Sequence, residues 1–356
     1  MAAMIDIGQL LICDLFLRLD TYVGCSHNCQ YCFATRKNHN KNEAPNIKSV
    51  FSKDQLIRFL NSRPGNMLYP FKDYPFHWGG MSDPFQPIEK IERQSLQCMK
   101  ILLEHGKPFV VSTKGKLIAD KEYLSILSKC NAAVQISMAC PSYDAIEPGA
   151  PTYNERLKVL EAVSKNCKRS IVRIQPYIPQ FKAQIISNLK RIKDAGCYGI
   201  IVEAIKYYHK APNTVSLGGV EKLVPKDQLI KHFLEIRQAA HTLGLKFFSG
   251  ENRLRHLGDD LCCCGVSDLP GFKTNKYNAN HYYNGDVMRP DACLCDENSK
   301  KAAYRLIQSS QQEAGYTSEV FKNMTLKQAI DCLIRNKNNY FKKVFGLTKE
   351  RPPKKS

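Results

Sequence analysis

"LFLRLDTYVGCSHNCQYCFA", residues 15–34, runs from an apolar, alternating stretch straight into three cysteines. Residues 15–23 carry the period-two pattern of a β-strand. Cys25, Cys29 and Cys32 follow at C-x3-C-x2-C spacing. A strand that delivers a thiol-bearing loop at its end poses the question of what the next strands do, and the chain answers with a series. "FHWGG" (76–80) precedes the helical "IEKIERQSLQCMKILLEHG", and "PFVVST" (108–113) precedes "ADKEYLSILSKC". "AAVQISMA" (132–139) precedes a helix starting near Thr152. "SIVRIQPYI" (170–178) precedes "AQIISNLKRIKDAG", and "GIIVEAI" (199–205) precedes "KDQLIKHFLEIRQAAHTLG". Gly106, Gly196 and Gly244 stand where helix C-caps belong, each ahead of a new strand. Six or seven such units with short connections predict an α/β fold with parallel strands and helical crossovers. A partial parallel (β/α)6-type barrel suits the series better than a doubly wound sheet, and places chemistry on the loops after the strands.

The chain has 356 residues, 43% of them hydrophobic, enough for a sizeable core. Four regions follow: the barrel over 1–250, a cysteine-rich segment over 251–300, C-terminal helices over 301–345 and a basic tail over 346–356. A net charge of +19 favours nucleic acid, another polyanion or an anionic surface as partner. The start "MAAMIDIGQLLICDLF" lacks the basic and small-residue features of a secretory signal, and no apolar run reaches transmembrane length. Fifteen cysteines without a secretory address predict metal or redox chemistry in a reducing, cytoplasmic compartment, with no membrane partner.

Thiolates select zinc, copper(I) and iron–sulfur clusters. Structural zinc wants four ligands, and neither His27 nor His39 has finger spacing. A [4Fe–4S] cube held by three cysteines leaves one iron open to a substrate or cosubstrate. The pattern Cys25, Cys29, Tyr31, Cys32 after the first strand resembles the signature of the radical S-adenosylmethionine (SAM) superfamily. That resemblance implies a [4Fe–4S] cluster on the three cysteines and SAM chelated at the fourth iron. It also implies reductive cleavage of SAM to a 5′-deoxyadenosyl radical that abstracts hydrogen from substrate. Tyr31 and Phe33 would lie near the adenine, and flavodoxin or ferredoxin would supply the electron.

Four further stretches are similar, in order, to the spore photoproduct lyase-like branch: "HWGGMSDPFQPIEK" (77–90), "VVSTKG" (110–115), "EPGAPTYNERL" (147–157) and "VRIQPYIP" (172–179). The similarity covers about residues 15 to 265. A zwitterionic sulfonium ligand needs oxygen acceptors and a cation for its carboxylate, and Ser82, Asp83, Lys114 and Arg156 are the candidates. The lyases proper carry a hydrogen-donating cysteine two residues before Ser-Asp; Gly80 stands there in this chain. The resemblance therefore implies modification or repair of a nucleic-acid base, with photoproduct reversal itself in doubt. Cys140, at the end of the fourth strand, is the candidate thiol for radical relay. Cys98, Cys130, Cys167 and Cys197 read as buried filler.

"GDDLCCCG" (258–265) and "DACLCDEN" (291–298) supply Cys262, Cys263, Cys264, Cys293 and Cys295, a candidate second site for zinc or an auxiliary iron–sulfur cluster. Extended backbone would put Cys262 and Cys264 on one face and Cys263 opposite. Alternatively, one of these thiols is the missing hydrogen donor. The segment follows the last strand and could cap the open end of the barrel. Tyr277, His281, Tyr282 and Tyr283, interleaved with Lys273 and Lys276, could stack bases and hold phosphates. Two other readings remain open: radical SAM modification of a peptide or protein, and a non-catalytic iron–sulfur or zinc protein that binds nucleic acid.

Overall fold

The computed structural model describes residues 4–7, 9, 13–32, 34, 46–64, 69–205, 224–276, 278 and 280–281. The expected C-terminal helices, the basic tail, Phe33, Tyr277, Tyr282, Tyr283, Cys293 and Cys295 lie outside the described residues.

Ten strands are described: β1 (Ile5–Asp6), β2 (Arg18–Leu19), β3 (Tyr22–Val23), β4 (Lys48–Ser49), β5 (Phe76–Trp78), β6 (Phe109–Thr113), β7 (Ala132–Ser137), β8 (Arg169–Tyr177), β9 (Gly199–Ala204) and β10 (Lys246–Ser249). Helices α1 (Lys53–Leu60), α2 (Gln94–Glu104), α3 (Lys121–Leu127), α4 (Tyr153–Ser164), α5 (Lys182–Asp194) and α6 (Lys226–Thr242) lie between them. The main sheet has the order β1-β2-β5-β6-β7-β8-β9-β10, parallel throughout except for the β1–β2 pair. Residues 15–23, expected as one strand, divide into β2 in the main sheet and β3, which pairs with β4 in a separate ribbon. The chain turns between them at Asp20, whose carboxylate accepts the Met81 N–H at 3.2 Å.

Each parallel strand joins the edge left by its predecessor. Right-handed crossovers then keep the helices on one face, and the sheet curls away from them. Strand periodicity sorts the side chains accordingly. Trp78, Phe109, Val111, Val134, Ile136, Val172, Ile174, Val202 and Phe247 are buried in the main core with the helices. The opposite face carries Arg18, His77, Ser112, Ser137, Arg173 and Glu203, which line a single cavity of about 370 Å³. Ile171, Ile201 and Phe248 form a separate small apolar cluster on that inner face. The curl is therefore a partial barrel with a polar lumen. Among the described residues β10 pairs only with β9, so the cylinder is open.

Residues 251–281 occupy the seam rather than the end of the barrel. Asp259 N–H donates to the Phe247 carbonyl of β10 at 2.8 Å. Across the gap, Asn275 N–H donates to the Asp14 carbonyl at 2.9 Å, just ahead of β2. The Asp14 carboxylate accepts Asn278 Nδ2 at 3.0 Å and pairs with His281 Nε2 at 2.8 Å. These contacts run the described part of the segment along β10 and over to the chain ahead of β2; residues 282–300, the rest of the cap reading, lie outside the described residues. His281 is buried against Asp14 and is unavailable for stacking on a base. Lys273 lies 4.5 Å over the Tyr74 ring.

The helix after β5, expected as one piece, breaks at Arg93, which is left-handed at φ 53°. Glu89 explains the break. Its buried carboxylate accepts the N–H groups of Ser95 and Leu96, each at 2.9 Å, and so caps the N-terminus of α2. It also accepts the hydroxyls of Tyr22 (2.5 Å) and Tyr123 (2.6 Å).

Candidate active site

The loop after β3 leaves the strand through Gly24 and is pinned from two sides. Gln86, fully buried, donates to the Gly24 carbonyl at 3.1 Å and accepts the Ser26 N–H at 2.9 Å. On the other side the Gly149 N–H donates to the His27 carbonyl at 3.0 Å. A Cβ at Gly149 would overlap the carbonyl of Ser26, so only glycine admits the loop this closely. His27 bridges further, with Nδ1 at 3.0 Å from the Gly149 carbonyl and Nε2 at 3.2 Å from Asp83.

Cys25, Cys29 and Cys32 are half-buried and line the lumen cavity together with Ser82, Asp83 and Lys114. Burial pushes the Cys25 thiol up to about 12, and the Asp83 charge adds to it. Burial likewise pushes Cys29 up to about 12, with Lys114 opposing and Glu147 reinforcing. Among the described residues no three His, Cys, Asp or Glu side chains converge on a single metal ion. A zinc ion needs sulfurs gathered at about 2.3 Å around one point, whereas a cube spreads its thiolates over separate irons. Three soft donors facing one cavity match the donor set that a three-cysteine cluster requires.

The other candidates divide by whether they reach the cavity. Lys114 does; its Nζ lies 3.8 Å from Glu147 and 5.8 Å over the Tyr31 ring. Tyr31 lines the cavity and donates its hydroxyl to Glu147. Ser82 donates to the Tyr22 carbonyl at 2.6 Å and keeps acceptor capacity toward the cavity. Asp83 also lines it, but its oxygens are engaged by the protein: Phe85 N–H (2.9 Å), Thr113 Oγ1 (2.7 Å), Lys114 N–H (2.6 Å) and His27. Burial opposes its charge, yet His27 and these donors hold the carboxyl down at about 2. Asp83 thus ties the cysteine loop to the end of β6.

Arg156 is not among the cavity-lining residues. It is buried, paired with Glu147 at 2.6 Å and Asp144 at 3.3 Å, and donates to the Ser137 carbonyl at 2.8 Å. Its charge props Glu147 beneath Tyr31 and Lys114. Cys140 is fully buried ahead of the turn Pro141–Ile146 and is likewise absent from the lining; burial pushes its thiol up to about 11.

A second thiol group meets the same lumen at the seam. Cys263 and Cys264 line the cavity with their sulfurs 4.0 Å apart, while Cys262 is buried elsewhere. The face-sharing expected of Cys262 and Cys264 is therefore corrected. The backbone turns here, with Gly265 N–H donating to the Cys262 carbonyl at 3.0 Å, so strand alternation does not apply. Cys13 joins them in the lining, a residue that sequence reading passed over because it lies far away in the chain. The hydrogen bond from Cys264, followed by the charges of Arg255 and Arg173, pulls the Cys263 thiol below its usual range despite burial.

Between the two thiol groups runs a polar belt across consecutive strands. His77 Nε2 lies 3.4 Å from Ser112 Oγ, which donates to Gln135 at 2.8 Å. Arg173 donates to the same Gln135 oxygen at 3.0 Å and lies 3.5 Å from Glu203. Burial, then the charges of Arg18 and Arg173, keep His77 well below its usual range and neutral. These belt residues had a sequence signal: a single polar side chain inside an otherwise apolar strand run, as in "LFLRLD", "SIVRIQP" and "GIIVEAI".

No family model matches the chain. It is similar to uncharacterised proteins of Mycobacterium bovis and of two Mycobacterium tuberculosis strains, each 25% identical over 197 residues, 51% of this chain. That match spans 56% of those proteins, so the chain covers about half the length of the curated relatives it matches. Among solved structures it is similar to a spore photoproduct lyase variant with bound AdoMet and dinucleoside spore photoproduct, at 14% identity and a TM-score of 0.48 over 65% of this chain and 76% of that one. Another variant of the lyase matches at 13% and 0.49, over 66% and 76%. The lyase complexed with dinucleoside spore photoproduct matches at 15% and 0.47, with the same coverage.

Proposed function

We propose that this chain is a radical SAM enzyme, of the branch that resembles spore photoproduct lyase, acting on a base in nucleic acid. The observation that carries the reading is the joint lining of one barrel cavity by Cys25, Cys29 and Cys32 with Ser82 and Lys114. Those residues come from the ends of three different units, where a parallel barrel gathers its chemistry. A [4Fe–4S] cluster on the three thiols would supply, with SAM at its open iron, the one-electron cleavage that yields a 5′-deoxyadenosyl radical.

The chain's own residues would do the positioning. Gln86, Gly149 and His27 hold the cysteine loop in place. Lys114, kept charged beside Glu147, would take the SAM carboxylate, and the Ser82 oxygen would accept from its amino group. Tyr31, held by Glu147, would flank the adenosyl side. The narrow polar lumen beyond would exclude bulk water from a radical intermediate. The net charge of +19 and the cations Arg18, Lys114, Arg173 and Arg255 in the lining favour an anionic substrate. Seam residues Cys263, Cys264 and Cys13 would serve as the second redox or metal site.

Anaerobic reconstitution with iron and sulfide, followed by SAM and dithionite, tests the reading. Release of 5′-deoxyadenosine that vanishes in Cys29→Ala is the expected result. Full release by Cys29→Ala would remove the assignment of the first loop.

A further inference from the structure

We propose that Arg18 is a phosphate receptor for the substrate, seated in the barrel lumen in the space that the absence of a side chain at position 80 leaves free. The proposal rests on the nucleic-acid reading above and assigns one of its contacts.

Three observations converge. First, a Cβ built on Gly80 would overlap Arg18 Nη1, so the guanidinium already fills the volume in which a side chain at 80 would begin. Gly80 has no left-handed backbone requirement, and the glycine is needed for that space alone. Second, Arg18 is a half-buried cation that feels the Asp20 charge but keeps donor capacity to spare. Its Nη2 donates to the neutral amide of Gln9, its Nε is buried without a partner, and among the described residues no carboxylate forms an ion pair with it. The nearby Asp20 carboxylate is turned to the N–H groups of Met81 (3.2 Å) and Ser82 (3.5 Å), and burial raises its pKa to about 6. Third, Arg18 lines the same cavity as the three-cysteine loop, with Arg173 and Arg255 also in the lining.

A half-buried guanidinium with an unpartnered Nε has donor capacity left, and an oxyanion that fits its planar fork takes it up. Phosphate is favoured over a lone carboxylate because further arginines line the same wall and the whole chain is strongly cationic. A side chain at position 80 would have to push the Arg18 tip out of the place it occupies. A thiol at 80 and a guanidinium from 18 are alternative ways to furnish this part of the lumen, and this chain has the second.

The test is equilibrium binding of a short single-stranded oligodeoxynucleotide to the full chain across a salt series, with SAM binding measured in parallel. Arg18→Ala should weaken oligonucleotide binding about 10- to 100-fold. It should also flatten the dependence of log affinity on log salt by about 0.7, the value for one lost phosphate contact on a single strand. SAM affinity should stay unchanged. Gly80→Ala, which keeps Arg18 but displaces it, should reproduce the loss. The double variant should be no worse than either single one, since both remove the same contact. Arg18→Lys should keep the salt slope while losing part of the affinity. If Arg18→Ala binds the oligonucleotide with wild-type affinity and slope, the receptor role is wrong and the nucleic-acid reading stands. If the wild-type chain does not bind it at all, both fail. Equal weakening of SAM and oligonucleotide by a folded Arg18→Ala would also overturn the proposal, assigning the residue to general architecture.

Discussion

Two groups of thiols open on one lumen, and their surroundings treat them in opposite ways. Cys25 and Cys29 sit in a loop tied down by Gln86, His27 and Gly149, and burial pushes both thiols up to about 12. Cys263 sits in the seam against Cys264, Arg255 and Arg173, and is drawn down despite deeper burial. The difference teaches that thiols facing one cavity can be biased in opposite directions, here by a hydrogen bond from Cys264 and then by the charges of Arg255 and Arg173. Cys25 and Cys29 become thiolates only when something such as a metal centre compensates them.

The contrast can be broken most forcefully at the first loop. Cys29→Ala should abolish SAM cleavage, whereas Cys263→Ala should leave cleavage partly intact and lose product; 5′-deoxyadenosine and product assays on the same preparations separate the two. Next in size is Glu147→Ala, which strips the shared carboxylate from Arg156 and Lys114. Removing the carboxylate both cations share, with Asp144 still 3.3 Å from Arg156, should cost about 3 kcal/mol in denaturant unfolding. The same substitution should reduce iron loading at the first loop while the seam stays intact.

Asp83 gives a smaller, pH-dependent effect. Its carboxyl is near 2 in the fold against an ordinary 3.8, so the folded chain binds fewer protons in that window. Stability from this group is complete above about 4 and is lost as pH falls through 2, about 2 kcal/mol in all. Unfolding of wild type and Asp83→Asn between pH 5 and 2 should converge at the acid end. The smallest effect is chemical selectivity in the metal-free chain. At pH 7 a small alkylating reagent should label Cys263 ahead of Cys25 and Cys29, as read by peptide mapping. Equal labelling would mean that the Cys264 hydrogen bond and the seam arginines together do not lower that thiol.

The barrel was legible because its signals are local: apolar runs with period two, helical faces between them and glycine at the helix ends. The break at Arg93 was not, since it depends on Glu89 reaching forward to α2 and across to Tyr22 and Tyr123. The cavity lining was legible where residues stand in short motifs after strands, as Cys25, Cys29 and Cys32 do in one and Ser82 and Lys114 in two others. Arg156 and Cys140 show the limit. Cys140 follows β7 and Arg156 lies in α4, and neither the end of a strand nor a helical position says which way a side chain turns; both are buried and outside the cavity lining. Cys13 and the Cys263–Cys264 pair are brought together by seam contacts to Asp14 and Phe247 that no local pattern encodes.

The central claim is that the first loop carries a four-iron cluster with one iron left for SAM. Electron paramagnetic resonance of the reconstituted, dithionite-reduced chain, with and without SAM, tests it most directly. The account predicts a reduced [4Fe–4S] signal that changes on SAM addition, is missing in Cys29→Ala and survives in Cys263→Ala. A signal indifferent to SAM, or one that persists in Cys29→Ala, would contradict it.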